Sequence, residues 1–141
     1  MSTLSTKEMG DVVRRAYDAF NRADADAFTA LTTEDVEFHD IPDMPDPQVF
    51  RGPKGIKTFF TANWDIYERA WGEVDEVLDA GPNRVLVLAR HGGQARGGPP
   101  MEQHRGMLIA FSDDGRMRNV RTFADHASAR VAAGLDEHSV A

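Results

Sequence analysis

From Trp71 onward the apolar residues of this chain recur at every second position, and the pattern returns four times in succession. Val74-Asp-Glu-Val77-Leu78 leads through a Gly81-Pro-Asn turn into Arg84-Val-Leu-Val-Leu-Ala-Arg90-His91. Glu102 to Phe111, a Ser112-Asp-Asp-Gly115 turn and Arg116 to Phe123 complete the series. Short connections between consecutive strands allow only neighbouring antiparallel pairing, so this half of the chain reads as a meander. Gly92 to Pro100, with its glycines and two terminal prolines, interrupts the series and reads as a mobile connection.

The first half follows the helical period. Ser5 and Glu8 have capping-box spacing, and Met9, Val12, Val13, Ala16, Tyr17 and Phe20 predict a helix over about 6–20. Asn21 stops it, Asp24 caps a second short helix with Ala27, Phe28 and Leu31, and Thr32 to Asp35 reads as a turn. Val36-Glu-Phe-His-Asp40 alternates as a half-buried strand, and the three prolines from Ile41 to Pro47 exclude regular structure there. Gly52-Pro53 enters a helix of about 55–70, with Ile56, Phe59, Phe60, Asn63, Trp64 and Tyr67 on one stripe. Asp125 caps a last helix from Ala127 to Ala133, stopped by Gly134. The order ααβαββββα predicts one α+β domain over 1–141, with helices on one face of a curved sheet, a core of about 6–134 and a flexible tail over 135–141.

Composition narrows the chemistry. Sixteen Lys and Arg against 23 Asp and Glu give a net charge of −7, which disfavours phosphate polyanions and anionic membrane surfaces, so neither nucleic acid nor membrane is an expected partner. No stretch approaches the roughly 18 apolar residues of a membrane span and the N-terminus has no leader pattern, so the expected location is cytoplasmic. Cysteine is absent, which removes thiolate ligands and Cys nucleophiles. His39, His91, His104, His126 and His138 have no metal-ligand spacing, and no glycine-rich loop joins a strand to a helix, so neither metal nor cofactor is expected.

Three stretches carry a family resemblance: Asp35-Val-Glu-Phe-His-Asp40-Ile-Pro, Phe50-Arg-Gly-Pro-Lys-Gly-Ile-Lys-Thr-Phe-Phe60, and Phe111 to Asp125. Together with the element order they resemble the SnoaL-like polyketide cyclase and ketosteroid isomerase branch of the nuclear transport factor 2-like superfamily, over nearly the whole chain. The resemblance implies a cone-shaped, cystatin-like roll, its curved antiparallel sheet enclosing a deep apolar cavity under helices packed on the concave face. It implies a lining that includes Tyr17, Phe20, Phe38, Asp40, Phe59, Phe60, Asn63, Trp64, Arg90, Gln103, Arg105, Met107, Arg121, Phe123 and Asp125. It also implies a small hydrophobic, oxygen-bearing molecule as ligand and a homodimer through the other sheet face, for which Val85, Val87 and His91 have the expected exposed parity. One scaffold in this superfamily hosts isomerases, cyclases, hydrolases, dehydratases and binding modules, so residues rather than fold decide the reaction.

Asp40 falls where ketosteroid isomerases carry their general base, and burial in an apolar cavity would raise its pKa toward the useful range; alternatively it is an Asx-type cap of the Pro-rich loop. Tyr17 resembles the oxyanion-hole tyrosine, but Met107 stands where its acidic partner belongs, so steroid isomerisation is not expected. The alternative for Tyr17 is a hydrogen-bonded core residue. Asp125 resembles the strand-end carboxylate of SnoaL-like cyclases and limonene epoxide hydrolases, with a helix cap as its competing role. Arg90 matches the arginine between two aspartates in those hydrolases, yet Gly92 stands where the pattern needs one of them, so Arg90 is read instead as a partner for Asp125 or Asp40. Of the two carboxylates Asp40 is the expected base, because cap amides would hold Asp125 ionised. The resulting reading is a cofactor-free enzyme of isomerase, cyclase, dehydratase or hydrolase type; the alternative is a non-catalytic hydrophobic-ligand binding protein or a dimerisation module.

Overall fold

The computed structural model describes residues 3–41 and 47–135, so most of the Pro-rich loop and most of the expected tail lie outside the described residues. The elements are α1 (Thr6–Asn21), α2 (Ala25–Thr29), β1 (Thr32–His39), β2 (Val49–Arg51), α3 (Gly52–Ile66), β3 (Tyr67–Asp79), β4 (Arg84–Ala95), β5 (Pro100–Phe111), β6 (Met117–Phe123) and α4 (His126–Ala132). The six strands form one sheet in the order β2-β1-β6-β5-β4-β3, in which β1 and β6 run parallel and every other pair is antiparallel. Interruptions in register after Tyr67, Val74 and Ala110 bend the sheet, as bulges do.

Local chemistry sets the ends of most elements. The Ser5 hydroxyl accepts from the Glu8 amide while Glu8 accepts from the Ser5 amide, closing the capping box of α1. Asp24 and Asp125 accept from the amides of Ala27 and Ser128 at the starts of α2 and α4. Pro53 lies in the first turn of α3, where its missing N–H costs nothing.

Both faces of the sheet are covered. Met9, Val13 and Ala16 of α1, Phe28 of α2 and Ile56 and Phe60 of α3 pack with Val85, Val87, Met107, Ile109 and Val120 on the concave face. On the opposite face Leu86, Leu88, Leu108 and Phe123 pack under Ala129 of α4 and its C-cap Ala133. The last helix therefore leaves the concave side expected for all the helices. Gly106 is the reason it can lie so close, since a Cβ there would stand 2.2 Å from the Ala129 Cβ.

Other expectations change in detail. Strand β1 starts at Thr32, not after a turn, because Thr32 already pairs with Met117 and is buried. Tyr67 opens β3 opposite Ala95 instead of ending a helix. Gly92 to Ala95 belong to β4, and Gly92 to Gln94 pair with Pro100 to Glu102, so the expected mobile connection shrinks to a short turn. Its glycines serve packing: a Cβ at Gly92 would stand 2.1 Å from the Trp71 ring, and one at Gly93 2.9 Å from the Tyr67 ring. Val85 and Val87 are fully buried, so the stripe read as an exposed dimer surface is core.

Gly106→Ala is expected to destabilise the fold by about 1–3 kcal/mol, because Ala129 sits on a helix that must move as a whole. Urea unfolding measures the change, and an unchanged midpoint would contradict the packing described.

Candidate functional site

A cavity of about 470 Å³ lies between α1, α3 and the concave face of β3 to β6, within the roughly 300–1,000 Å³ common for ligand sites. Its apolar walls come from Val13, Phe20, Phe28, Phe38, Phe59 and Ile109. The aromatic rings interlock, with Phe38 and Phe59 centroids 4.7 Å apart and Phe20 and Phe59 6.0 Å apart. Polar groups enter at few points: Tyr17, Asp40, Asn63, His91, Gln103, Arg105 and Thr122.

Tyr17 and His91 meet at the centre of this set. The Tyr17 hydroxyl lies 2.7 Å from His91 Nε2 and 2.9 Å from the Met107 sulfur. Burial pushes the Tyr17 pKa well above the usual phenol range. Burial, with the nearby Arg105 cation, pushes His91 down from 6.5 to about 4, so the imidazole is neutral at physiological pH. The pair is thus a neutral hydrogen-bonding unit. Its placement follows from Gly72, where a Cβ would stand 2.7 Å from the Tyr17 ring, and from Asn21, which bonds both backbone groups of Gly72.

Asp40 is half-buried just past the end of β1, and its carboxylate accepts from the Gln48 amide at 3.1 Å. The Asp40 amide donates to the Gln48 carbonyl in return, so Asp40 both lines the cavity and ties the ends of the Pro-rich loop. Arg105 reaches the Ala124 carbonyl at 2.6 Å and the Gln103 side-chain oxygen. Asn63 donates back to the Phe59 carbonyl of its own helix.

Several sequence-derived site residues lie elsewhere. Arg90 alternates with Leu86 and Leu88 toward the convex face and pairs with Asp75 and Glu73, not with Asp40 or Asp125. Asp125 caps α4 at 2.7 Å from the Ser128 amide, and that bond holds its carboxyl below the usual carboxylate range. Phe123 belongs to the convex cluster and Arg121 stacks over its ring, because Val120 and Thr122 take the inward parity on β6. Phe60 is buried beneath the cavity against Phe28, and Trp64 packs behind Phe20. Conversely His91 was missed as a cavity residue. Its alternation with Val85, Val87 and Ala89 was the available signal, assigned to the wrong face.

Among the described residues no group of His, Asp and Glu is arranged to hold a metal ion, and no helix is long and apolar enough to cross a membrane. A family model described as "SnoaL-like domain" matches residues 13–134. No curated protein matches the chain. Among solved structures, a protein with a ketosteroid isomerase-like fold from Catenulispora acidiphila DSM 44928 aligns at TM-score 0.71 and 18% identity, over 88% of this chain and 92% of that one. Rv0760c from Mycobacterium tuberculosis, solved in complex with estradiol-17beta-hemisuccinate, aligns at TM-score 0.71 and 15% identity, over 84% and 95%. SalBIII, an epoxide hydrolase/cyclase-like enzyme in pyran ring formation in the polyether salinomycin, aligns at TM-score 0.73 and 14% identity, over 85% and 92%. At these identities the likeness is one of fold: the nuclear transport factor 2-like, cystatin-like α+β roll.

The low pKa of His91 fixes a pH dependence. The unfolded chain binds a proton at His91 near pH 6.5 while the folded one resists until about 4, so folding stability falls as pH drops through that interval and is unaffected by this group above it. Replacing His91 with Gln should remove a pH-dependent loss on the order of 3 kcal/mol across that interval in urea titrations at successive pH values. An unaltered slope would refute the burial of a neutral imidazole.

Proposed function

Because the chain belongs to the SnoaL-like domain family, we propose that it is a cofactor-free enzyme that moves a proton on a small hydrophobic, oxygenated substrate held in the concave cavity. The observation that carries this reading is the meeting of the Tyr17 hydroxyl with His91 and Met107 inside apolar walls that Asp40 also lines. Asp40 is the proton acceptor. Its carboxylate belongs to the same cavity, whereas Asp125 is committed to a helix cap on the other face.

Tyr17 is the electrophile. With its pKa raised it keeps its proton and acts as a donor, not a base. In the tautomer with the proton on Nε2, His91 donates to the Tyr17 oxygen, and the Tyr17 O–H is directed at the Met107 sulfur. Thioether sulfur is a weak acceptor. A substrate carbonyl or ether oxygen replaces it readily, and the charge that develops there as Asp40 takes a proton from carbon is met by the Tyr17 O–H, itself polarised by His91. The proposed enzyme is of isomerase, cyclase, dehydratase or hydrolase type. A fold neighbour's complex with estradiol-17beta-hemisuccinate supports an apolar, oxygenated ligand class. Met107 in place of an acidic donor argues against steroid isomerisation, and the Trp71 ring over Gly92 leaves no room for the second aspartate of an epoxide hydrolase.

The homodimer is part of the same proposal, through the convex face but not through Val85, Val87 and His91, which turn to the concave side. There Asp35 and Glu37 share a groove with Arg84, Arg118 and Arg121, and a two-fold axis would set the cations of one copy against the carboxylates of the other. Light scattering should give twice the 15.6 kDa chain mass at low salt and less at high salt; a monomer at both would refute it.

The test of the reaction is a turnover screen over hydrophobic ketones, lactones and epoxides. On the substrate found, Asp40→Asn is expected to lower kcat by about 10²–10⁴-fold and Tyr17→Phe by about 10²-fold, while Asp125→Asn keeps kcat and loses some stability. Loss of turnover in Asp125→Asn with full activity in Asp40→Asn would reverse the assignment. Full activity in both Asp40→Asn and Tyr17→Phe would refute these roles, and binding without turnover across the whole screen would leave the carrier reading, in which the cavity binds without reacting.

A further inference from the structure

We propose that Arg105 is the docking point for the carboxylate of an amphipathic organic acid whose apolar body fills the cavity; the proposal rests on the reading of this cavity as a ligand site. The cavity lining holds one acidic side chain, Asp40, and one basic guanidinium, Arg105, beside the neutral imidazole of His91. Asp40 is held by the Gln48 amide. Arg105 is half-buried and its hydrogen bonds go to uncharged oxygens, the Ala124 carbonyl and the Gln103 side chain.

That puts a cation without a carboxylate partner inside an otherwise largely apolar lining. Arg22, Arg51, Arg90 and Arg116 each pair with a carboxylate; Arg105, like the other arginines, pairs with none among the described residues, but it is the one arginine in the cavity lining. The carboxylate of Asp125 feels the charge of Arg105 but is bound to the Ser128 amide. A guanidinium carries five N–H groups in a planar fork, so with two of them on Ala124 and Gln103, three take no acceptor among the described residues. Taking such a group halfway out of water without a counter-charge costs free energy, which an anionic ligand recovers. Its two existing bonds fix the plane of the fork, and a carboxylate is the anion that matches that fork with two parallel bonds.

The anion is a monoanion on an apolar body. Among the described lining residues no second cation stands beside Arg105 to balance a phosphate dianion, and the net charge of −7 disfavours multiply charged ligands. The walls of the same cavity are aromatic and aliphatic, with Phe20, Phe59 and Ile109 among them and Met101 the most exposed. A ring system with a short acidic side chain satisfies both halves of this surface. On the proposed reaction, the acid end would fix the register in which the reacting carbon meets Asp40 and Tyr17.

The test is a matched pair of fluorescent probes, 1-pyrenebutyrate and neutral 1-pyrenebutanamide, titrated into the full chain, with the Met107 methyl NMR signal reporting occupation of the cavity. The expected result is about tenfold or more tighter binding of the carboxylate, a preference that shrinks with salt. Arg105→Gln should abolish the preference while leaving amide binding in place. Because Arg105 also ties β5 to the Ala124 carbonyl, Gln103→Glu is the second variant. It leaves Arg105 intact, keeps the side-chain shape, and puts a carboxylate where the guanidinium already bonds, so it too should erase the preference. Equal affinities in the unaltered protein, or a preference that survives both substitutions, would overturn the inference while amide binding in the cavity upholds the ligand-site reading. Binding of neither probe would overturn both.

Discussion

The site depends on how closely α1 lies on β3, and that distance is set at Gly72. A side chain there would strike the Tyr17 ring, whereas hydrogen lets the ring pass over the strand and reach His91 on the neighbouring strand. The contact is locked by Asn21, whose amide bonds the N–H and the C=O of Gly72 at 2.8 and 2.9 Å. These are strand groups turned toward a helix, and without a partner each would be a costly buried polar group. Helix placement, tyrosine orientation and imidazole burial are therefore one arrangement.

Space is assigned by glycine elsewhere in the sheet as well. Gly92 and Gly93 accept aromatic rings from β3, and Gly106 accepts α4. In each case the strand gives up a side chain so that a larger element can approach, and the cost in backbone entropy is offset by aromatic and helical packing. The cavity survives between α1 and the sheet because the helices are held apart from it by rings, with Phe20, Phe28, Phe59 and Phe60 in mutual contact.

Charge is divided between the two sheet faces. Arg90 and its partners Asp75 and Glu73 satisfy one another on the convex side, where exposure makes such pairs weak contributors to stability. On the concave side the ionisable groups are sparse and strongly affected by burial: Tyr17 keeps its proton, His91 gives its up, and Arg105 bonds to uncharged oxygens. This is a setting in which hydrogen bonds and single charges act with little screening by water.

The sequence by itself determined the number and order of the main elements, the caps at Ser5, Asp24 and Asp125, and the meander, because these follow from local period and capping chemistry. It also placed Tyr17, Phe20, Phe38, Asp40, Phe59, Gln103, Arg105 and Met107 around one cavity through resemblance to a family. It did not determine which face of the meander holds the cavity. Val85, Leu86, Val87 and Leu88 are all buried, since α1 covers one face and α4 the other, so apolar alternation disappears where it was needed. That is why His91 was read as exposed and Arg90, Arg121, Phe123 and Asp125 as inward. The short strand β2 escaped notice for a related reason: three residues carry too little period, and its existence rests on pairing with β1. Strand parity on a sheet covered on both sides is decided by what packs where, and only the tertiary structure contains that information.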